Sequence, residues 1–445
     1  MGFPRDGFFF TYLRKMKSTG ILFFMLSFAL LTQAQTLTAT EKNIATQIET
    51  DMAYHINLLK NAVNINSGTY NKAGVRAVGK LFADELTAMG FTTEWIELPD
   101  SLNRAGHLVA TRKGTKGKKL FLIGHLDTVF EPDMPANPFR MLNDSIATGQ
   151  GVNDMKGGDV IIIAALKALF KLGLLEDRTI TVYMTGDEEN AGKPNLVSRA
   201  DFIQRAKGHD YALAFEASNG MNTAAPARRG ASDWRLEVTG KQGHSSGVFG
   251  RNGYGSIYEA TRIINEFRLQ LSNEKYLTFN PGLIMGGSEL NYDTASQKGN
   301  VAGKTNIISP STIAVGDLRF ISAEQKEKAR GKMRQIVSTN NLPGTSAKIY
   351  FKDGIPSMFP TKGNVALVSK LSLVSIALGF GEIKPGDPMM RGAGDVSYVA
   401  DHLDCMDGLG AWGAGEHAPG ETTNIKAMPN LAKRAAIYLY RLSHE

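Results

Sequence analysis

Histidines and carboxylates that can bind a metal or carry a proton recur at the ends of apolar runs in this 445-residue chain. His125 and Asp127 follow Lys119-Leu120-Phe121-Leu122-Ile123-Gly124, and Asp187-Glu188-Glu189 closes the run at 179–184. Glu216 ends Tyr211-Ala212-Leu213-Ala214-Phe215, Asp154 lies in the glycine-rich stretch 149–158, and His417 follows a second such stretch at 408–415. Ligands in open α/β sheets bind outside the carboxyl ends of the strands, which is where these groups fall. Three adjacent acids at the end of a buried strand repel one another, and a pair of divalent cations would remove that cost. Two histidines with several carboxylates suit Zn²⁺, with ligand distances of about 2.0–2.2 Å. Cys405 is the only cysteine. It allows neither an internal disulfide nor a thiolate-rich metal site, so a metal in this chain must be held by histidine and carboxylate.

The elements that position these groups alternate from about residue 40 to 225. Helical periodicity covers 42–61 and 72–89, buried-type strands cover 119–124, 179–184 and 211–215, and an apolar helix covers 159–172. Such alternation predicts an α/β sheet covered on both faces. Near Pro226 the character changes. A half-exposed strand at 234–239, a helix at 255–271, strands at 276–285 and 312–320, a helix at 323–338 and a strand at 347–352 give the β-α-β-β-α-β order of a ferredoxin-like unit. After Gly354, helices are expected near 364–379, from Val396 and near 426–443. The chain therefore reads as a main domain in two parts, 35–226 and 355–445, interrupted by a smaller α+β domain at 227–354.

The runs His125-x-Asp127, Gly151-Val152-Asn153-Asp154-Met155-Lys156-Gly157-Gly158, Asp187-Glu188-Glu189, Glu216 and Gly415-Glu416-His417-Ala418-Pro419 resemble the co-catalytic di-zinc amidohydrolases. That family includes glutamate carboxypeptidase, aminoacylases, acetylornithine deacetylase and carnosine-type dipeptidases. The resemblance runs from about residue 40 to 440, with the blocks in family order and spacing. It implies a zinc-peptidase-like catalytic domain with helices on both faces of a mixed sheet, interrupted by a lid and dimerisation domain. It further implies that Asp154 bridges two Zn²⁺ ions, for which Co²⁺ or Mn²⁺ could substitute. His125 and Glu216 would complete one site, and Glu189 and His417 the other. Asp127 would accept from His125 and fix its tautomer. Glu188 would serve as general base and then as proton donor to the leaving amine. A cis peptide is expected at Asp154–Met155.

The resemblance extends into the inserted domain. His244, in Gly240-Lys241-Gln242-Gly243-His244-Ser245-Ser246, resembles the histidine that reaches a neighbouring subunit's active site and stabilises an oxyanion, which implies a homodimer through this domain. Asn306 and Arg319 match substrate-holding residues, and Gly392-Ala393-Gly394-Asp395 resembles a loop that cradles the substrate's carboxylate. Asp395 has a second reading as a helix cap. Two positions depart from the pattern: Gly394 replaces the usual Ser or Thr, and Ile355 stands where glutamate carboxypeptidase has an Arg. The second departure argues against a strict preference for C-terminal glutamate. The implied activity is carboxypeptidase-like hydrolysis of an amide next to a free carboxylate in a small peptide. An N-acyl amino acid deacylase or dipeptidase with the same site is the alternative, and a catalytically silent peptide-binding protein is the non-enzymatic one.

The net charge of +7, from 50 Lys and Arg against 43 Asp and Glu, could suggest a nucleic-acid partner. Four of the basic residues and one acid lie in the first 34, which leaves 46 against 42, or +4, with no stacking motif or clustered basic face. Residues 1–34 read as a signal peptide: Arg14, Lys15 and Lys17 precede an apolar run at 21–31 and the small-residue segment Thr32-Gln33-Ala34. That run is short for a hydrocarbon core of about 30 Å. An exported protein, periplasmic or extracellular, is expected, with no stable membrane anchor. The basic stretch 112–119 reads as a solvated hairpin turn, and the GxGxxG pattern at 408–413 as a flexible approach to His417 rather than a dinucleotide site. His55, His107, His209, His402 and His444 read as ordinary capped or solvated side chains, and Cys405 as an idle thiol.

Overall fold

The computed structural model describes residues 36–445, so the expected signal peptide lies outside the described residues. The first helix, α1 (Ala39–Val63), starts at a capping box in which the Thr38 and Glu41 side chains each accept from the other's backbone N–H. Its buried Ile44, Ile48, Met52, His55 and Leu59 recur at three- and four-residue steps and form one face. There follow α2 (Lys72–Ala88), β1 (Thr92–Ile96), β2 (His107–Arg112), β3 (Lys116–His125), α3 (Lys156–Lys171), β4 (Arg178–Thr185) and β5 (Tyr211–Ala214). A second unit holds β6 (Gly230–Gly240), α4 (Ser256–Leu271), β7 (Thr278–Gly287), β8 (Ser311–Phe320), α5 (Ala323–Ser338) and β9 (Thr345–Asp353). The chain returns through α6 (Lys362–Ala377), β10 (Asp404–Met406) and α7 (Met428–Ser443).

The main sheet has the order β1-β2-β4-β3-β5-β10. β3 pairs in parallel with β4 and β5, β5 pairs in parallel with β10, and β1 and β2 form an antiparallel edge. Side chains along β3 alternate between two cores. Leu120 and Leu122 join residues of α1, α3 and α7, whereas Phe121 and Ile123 join Phe202, Val396 and Cys405 on the other face. This is why the strand reads as a continuous apolar run: both of its faces are covered. Residues 160–166 of α3 are all closed to solvent, and each large aliphatic among them contributes about 1.5–3 kcal/mol of transfer free energy. The result is a rigid platform on which the carboxyl ends of β4, β3 and β5 lie side by side.

The second unit has its own antiparallel sheet, ordered β7-β8-β6-β9. One face of β6 places Trp234, Leu236 and Val238 in a core with Ile263 and Phe267 of α4 and Met333 and Ile336 of α5. Trp234 lies edge-on to Phe267 and donates its indole N–H to the Asp317 carbonyl at 2.9 Å. The other face keeps Arg235 and Glu237 partly exposed, hence the alternation seen in the sequence.

Two local readings change. The basic stretch at 112–119 is not a hairpin turn, because β4 lies between β2 and β3 in the sheet. The connection crosses the start of β4, where Thr115 donates its backbone N–H and hydroxyl to the Asp177 carboxylate. The helix expected from Val396 is a single 3₁₀ turn, Asp395–Tyr398. All four of its residues are buried, so the apolar spacing there reflects complete enclosure rather than one face of a longer helix.

Candidate metal centre

Three neighbouring strands deliver three of the five expected ligands. His125 is the last residue of β3, Glu189 lies just past β4, and Glu216 lies two residues past β5. Asp154 precedes α3, on the loop that enters that helix. His417 comes from a solvent-exposed loop whose ends are joined by pairing of Gly413–Ala414 with Thr422–Asn424. His125 Nε2 lies 3.1 Å from Asp154 Oδ1 and 3.8 Å from Glu216 Oε1. His417 Nε2 lies 3.2 Å from the other Asp154 oxygen, Oδ2, and 3.0 Å from Glu189 Oε2. The ligand atoms of each trio lie within 4.8 Å of one another. One carboxylate is therefore shared by two trios of identical composition, each with one imidazole and two carboxylates. The Asp154–Met155 peptide is cis.

The donor set fits divalent cations. Burial, followed by the neighbouring Asp154 carboxylate, pushes Glu216 up to about 8. Burial and then Glu216 push Glu188 well above the usual carboxylate range, and burial likewise raises Glu189. Asp154 behaves oppositely: burial opposes its charge, but hydrogen bonds from His125 and His417 hold it below the ordinary value. The Asp154 and Glu189 carboxylates hold the His417 imidazole protonated up to about 11. Among the described residues, the two imidazoles are the direct partners of Asp154, Glu189 and Glu216, so cations replacing the imidazole protons would relieve the repulsion.

Asp127 takes its place with a change of detail. His125 Nδ1 lies 3.0 Å from the Asp127 backbone carbonyl and 3.5 Å from its carboxylate. The carboxylate instead accepts the backbone N–H groups of Glu188 at 2.9 Å and Glu189 at 3.2 Å, and the Thr69 hydroxyl at 2.6 Å. One residue therefore orients the imidazole with its main chain and holds the acidic loop with its side chain. The Glu188 carboxylate makes no hydrogen bond or ion pair among the described residues and is left free beside the trios.

The adjacent acids divide. Asp187 turns away into the protein, where Arg199, the Ser198 hydroxyl at 2.7 Å and the Gly192 N–H at 2.8 Å satisfy it. Arg199 also donates to Asp395 Oδ1 at 2.7 Å, and Thr185 donates to Asp395 Oδ2 at 2.7 Å. Both oxygens of Asp395 are thus engaged in the interior. The capping role does not apply, since the preceding Gly394 is the cap position. The Gly392 carbonyl accepts from Arg228 at 3.2 Å, while its Cα faces open space.

In the second unit, the short strand Gly243–His244 pairs with Ile307–Ile308, which sets His244 beside Asn306. His244 is exposed and its Nδ1 contacts the Ser246 hydroxyl at 2.9 Å. Arg319 donates to Asp317 at 2.8 Å. Among the described residues, no hydrogen bond or ion pair links His244, Asn306 or Arg319 to the two trios. The stretch at 408–413 is close-packed rather than flexible. A Cβ at Gly410 would meet the Phe215 carbonyl oxygen at 1.9 Å, and one at Gly413 the Thr422 carbonyl oxygen at 1.8 Å.

Several residues bearing on the site carry no local signal in the sequence. Arg199 and the buried Arg228–Asp407 pair lie behind the strand ends. Lys156 is fully buried and donates to the Ile65 carbonyl at 2.9 Å. Glu421 accepts the backbone N–H groups of Gly151, Asn153 and Asp154 in the Asp154 loop.

Comparison with known proteins agrees with this arrangement. The family model described as peptidase family M20/M25/M40 matches residues 121–441. Carboxypeptidase G2 of Pseudomonas sp. strain RS-16 is 30% identical over 385 residues, covering 86% of this chain and 87% of that protein. Succinyl-diaminopimelate desuccinylase of Nitrosomonas eutropha is 23% identical over 381 residues, covering 82% and 92%. Among solved structures, the Bacillus subtilis protein YXEP, described as a dinuclear metal binding peptidase from the M20 family, superposes with a TM-score of 0.62 at 14% identity over 89% of this chain and 99% of that one.

Proposed function

Because this chain belongs to peptidase family M20/M25/M40, we propose that it is a two-metal exopeptidase that hydrolyses an amide next to a free carboxylate in a small peptide. The observation that carries this reading is the shared Asp154 between the His125–Glu216 and Glu189–His417 groups, with the unengaged Glu188 carboxylate beside them. When bound there, two zinc ions would supply Lewis acidity toward the scissile carbonyl and lower the pKa of an attacking water. The protein's own part is proton handling and positioning. Glu188 takes a proton from the attacking water and delivers it to the departing amine, and its burial-raised affinity for that proton suits the first step. Asp127 keeps Glu188 and Glu189 in register by holding both backbone N–H groups. Glu188→Ala should abolish hydrolysis while leaving about two metal ions per chain. Retained activity would remove Glu188 from this role.

The second reading, an N-acyl amino acid deacylase, is favoured by similarity to a desuccinylase along 82% of the chain. Product analysis of metal-loaded protein on a mixed panel of dipeptides and N-acyl amino acids separates the two. Ile355 and Gly394, in place of the family's Arg and Ser or Thr, are the basis for expecting broader specificity than C-terminal glutamate alone.

His244, Asn306 and Arg319 act on substrate in this reading, His244 across a homodimer built through the second unit. Exposed Phe249, Ile257, Tyr258 and Ile284 on that unit support such a contact. Mixing inactive Glu188→Ala and His244→Ala proteins should restore activity if His244 serves its partner; no restoration would place it in its own subunit's chemistry or outside the chemistry altogether. Export is proposed from the first 34 residues and is tested by the N-terminus of the mature protein.

A further inference from the structure

The two halves of the metal centre are held very differently. His125 and Glu216 stand on the ends of strands β3 and β5, and His125 is 1% exposed. The His417 side chain is 59% exposed, and every residue from 414 to 420 is exposed. Some other device must bring His417 to the oxygen of Asp154 that it shares. Glu421, four residues on, is where the exposed loop returns to the interior, and its side chain is buried. Its Oε1 accepts the backbone N–H of Asn153 at 2.7 Å and of Asp154 at 2.8 Å, and its Oε2 accepts that of Gly151 at 2.9 Å. Its carbonyl oxygen accepts the Thr148 hydroxyl at 2.6 Å and lies 3.4 Å from the Gly149 nitrogen. A single residue thus grips segment 148–154 at both ends. A further strap comes from Asn153 Nδ2, which donates to Glu416 Oε1 at 2.5 Å.

We propose that Glu421 is the positioning residue of the metal centre's exposed half: its carboxylate, set in a nest of three N–H groups from the Asp154 loop, docks the His417 loop and fixes the separation of His417 from Asp154. This rests on the two-metal reading above. The latch sets a carboxyl group among converging backbone dipoles. A buried N–H left without a partner is costly, and three of them converge on this one side chain. Glutamine has nearly the same shape but turns one acceptor into an NH₂ group facing N–H donors. The His125–Glu216 half depends on this contact less, because only Asp154 among its ligands lies on the gripped loop, while His125 ends β3 and Glu216 follows β5 by two residues. Loss of the latch should therefore separate the two metal equivalents.

Two measurements test this, neither of which is catalysis, so failure to find hydrolysis would count against the functional reading alone. Co²⁺ titration of metal-free Glu421→Gln, followed by visible absorption and elemental analysis, should show the second equivalent weakened about 10- to 100-fold and the first little changed. Equal weakening of both, or of neither, overturns the proposal. Should this variant not fold, hydrogen exchange on the unaltered protein decides. Exchange across residues 151–154 should be about as slow in metal-free protein as in the Zn²⁺-loaded form, because Glu421 rather than the metal holds those N–H groups. Protection that appears only on adding Zn²⁺ overturns it.

Discussion

Asp187 and Glu189 stand two residues apart past β4, with side chains that are almost wholly buried, and the chain neutralises them in opposite ways. Asp187 faces a guanidinium. Burial pushes its carboxyl up, but Arg199, His107, the Gly192 N–H and the Ser198 hydroxyl together outweigh that effect and hold it at about 2. Arg199 bridges on to Asp395, which Thr185 also satisfies, so this set of charges is complete when folding is complete. Glu189 instead faces Asp154, another carboxylate, across the His417 imidazole. With Glu216 and Glu188 close by, that set is short of positive charge: burial and then the neighbouring carboxylates raise Glu188 and Glu216, while the two imidazoles hold Asp154 low. The difference separates scaffold from site. Charges closed by the chain's own cations hold the acidic loop in place, and charges left open are where external cations have something to gain.

The comparison is broken most severely at Arg199. Arg199→Met would leave Asp187 and Asp395 buried without their shared cation and should lower stability by about 3–5 kcal/mol, read by denaturant unfolding of metal-free protein. A small loss would mean the two sets are not distinct in kind. Metal should have the next largest effect, and only through the open set. Zinc at about 100 times its dissociation constant should raise the stability of metal-free protein by about 2.7 kcal/mol, and Asp154→Asn should abolish that gain.

His55, buried under α1 far along the chain from either set, shows a third solution: it stays neutral. Burial lowers its pKa to about 4, and its Nδ1 has no hydrogen-bond partner among the described residues. Because the unfolded chain takes up this proton at higher pH than the folded one, stability should be full above about pH 6.5 and fall toward pH 4. The expected slope from this residue is at most about 1.4 kcal/mol per pH unit. His55→Leu should flatten that part of the profile; an unchanged profile would assign the loss to other groups. The smallest effect is expected at His417. Replacing this exposed side chain with Ala should cost metal and, because it also removes an ion partner of Asp154 and Glu189, lower the stability of metal-free protein by about 1 kcal/mol. Unchanged metal content would remove it from the ligand set.

Legibility in the sequence followed the physics of each element. Strands β3, β4 and β5 were readable because burial on both faces demands an unbroken apolar run, and α4 to β9 because one covered face imposes its period. The ligand blocks were readable because histidines and acids at strand ends have few structural excuses. The hairpin assigned to 112–119 and the helix from Val396 failed for the same reason: local pattern does not say which strand inserts between two others, or whether a short apolar cluster is enclosed from all sides. The partner of Asp395 was not legible because Arg199 lies nearly two hundred residues away.

The sequence by itself determined the chemistry available to this protein. A single cysteine, two well-placed histidines and a run of acids restrict any metal site to nitrogen and oxygen donors. The tertiary structure decided how that chemistry is divided. Which acid of Asp187-Glu188-Glu189 turns inward, which stays free and which meets His417 depends on Arg199, Asp127 and Glu421, each supplied from a distant part of the chain. The reason is that carboxylates are alike in sequence but not in surroundings. A buried carboxylate takes its charge state and its role from whichever donors the fold brings within hydrogen-bonding distance, and those contacts form only when the chain closes.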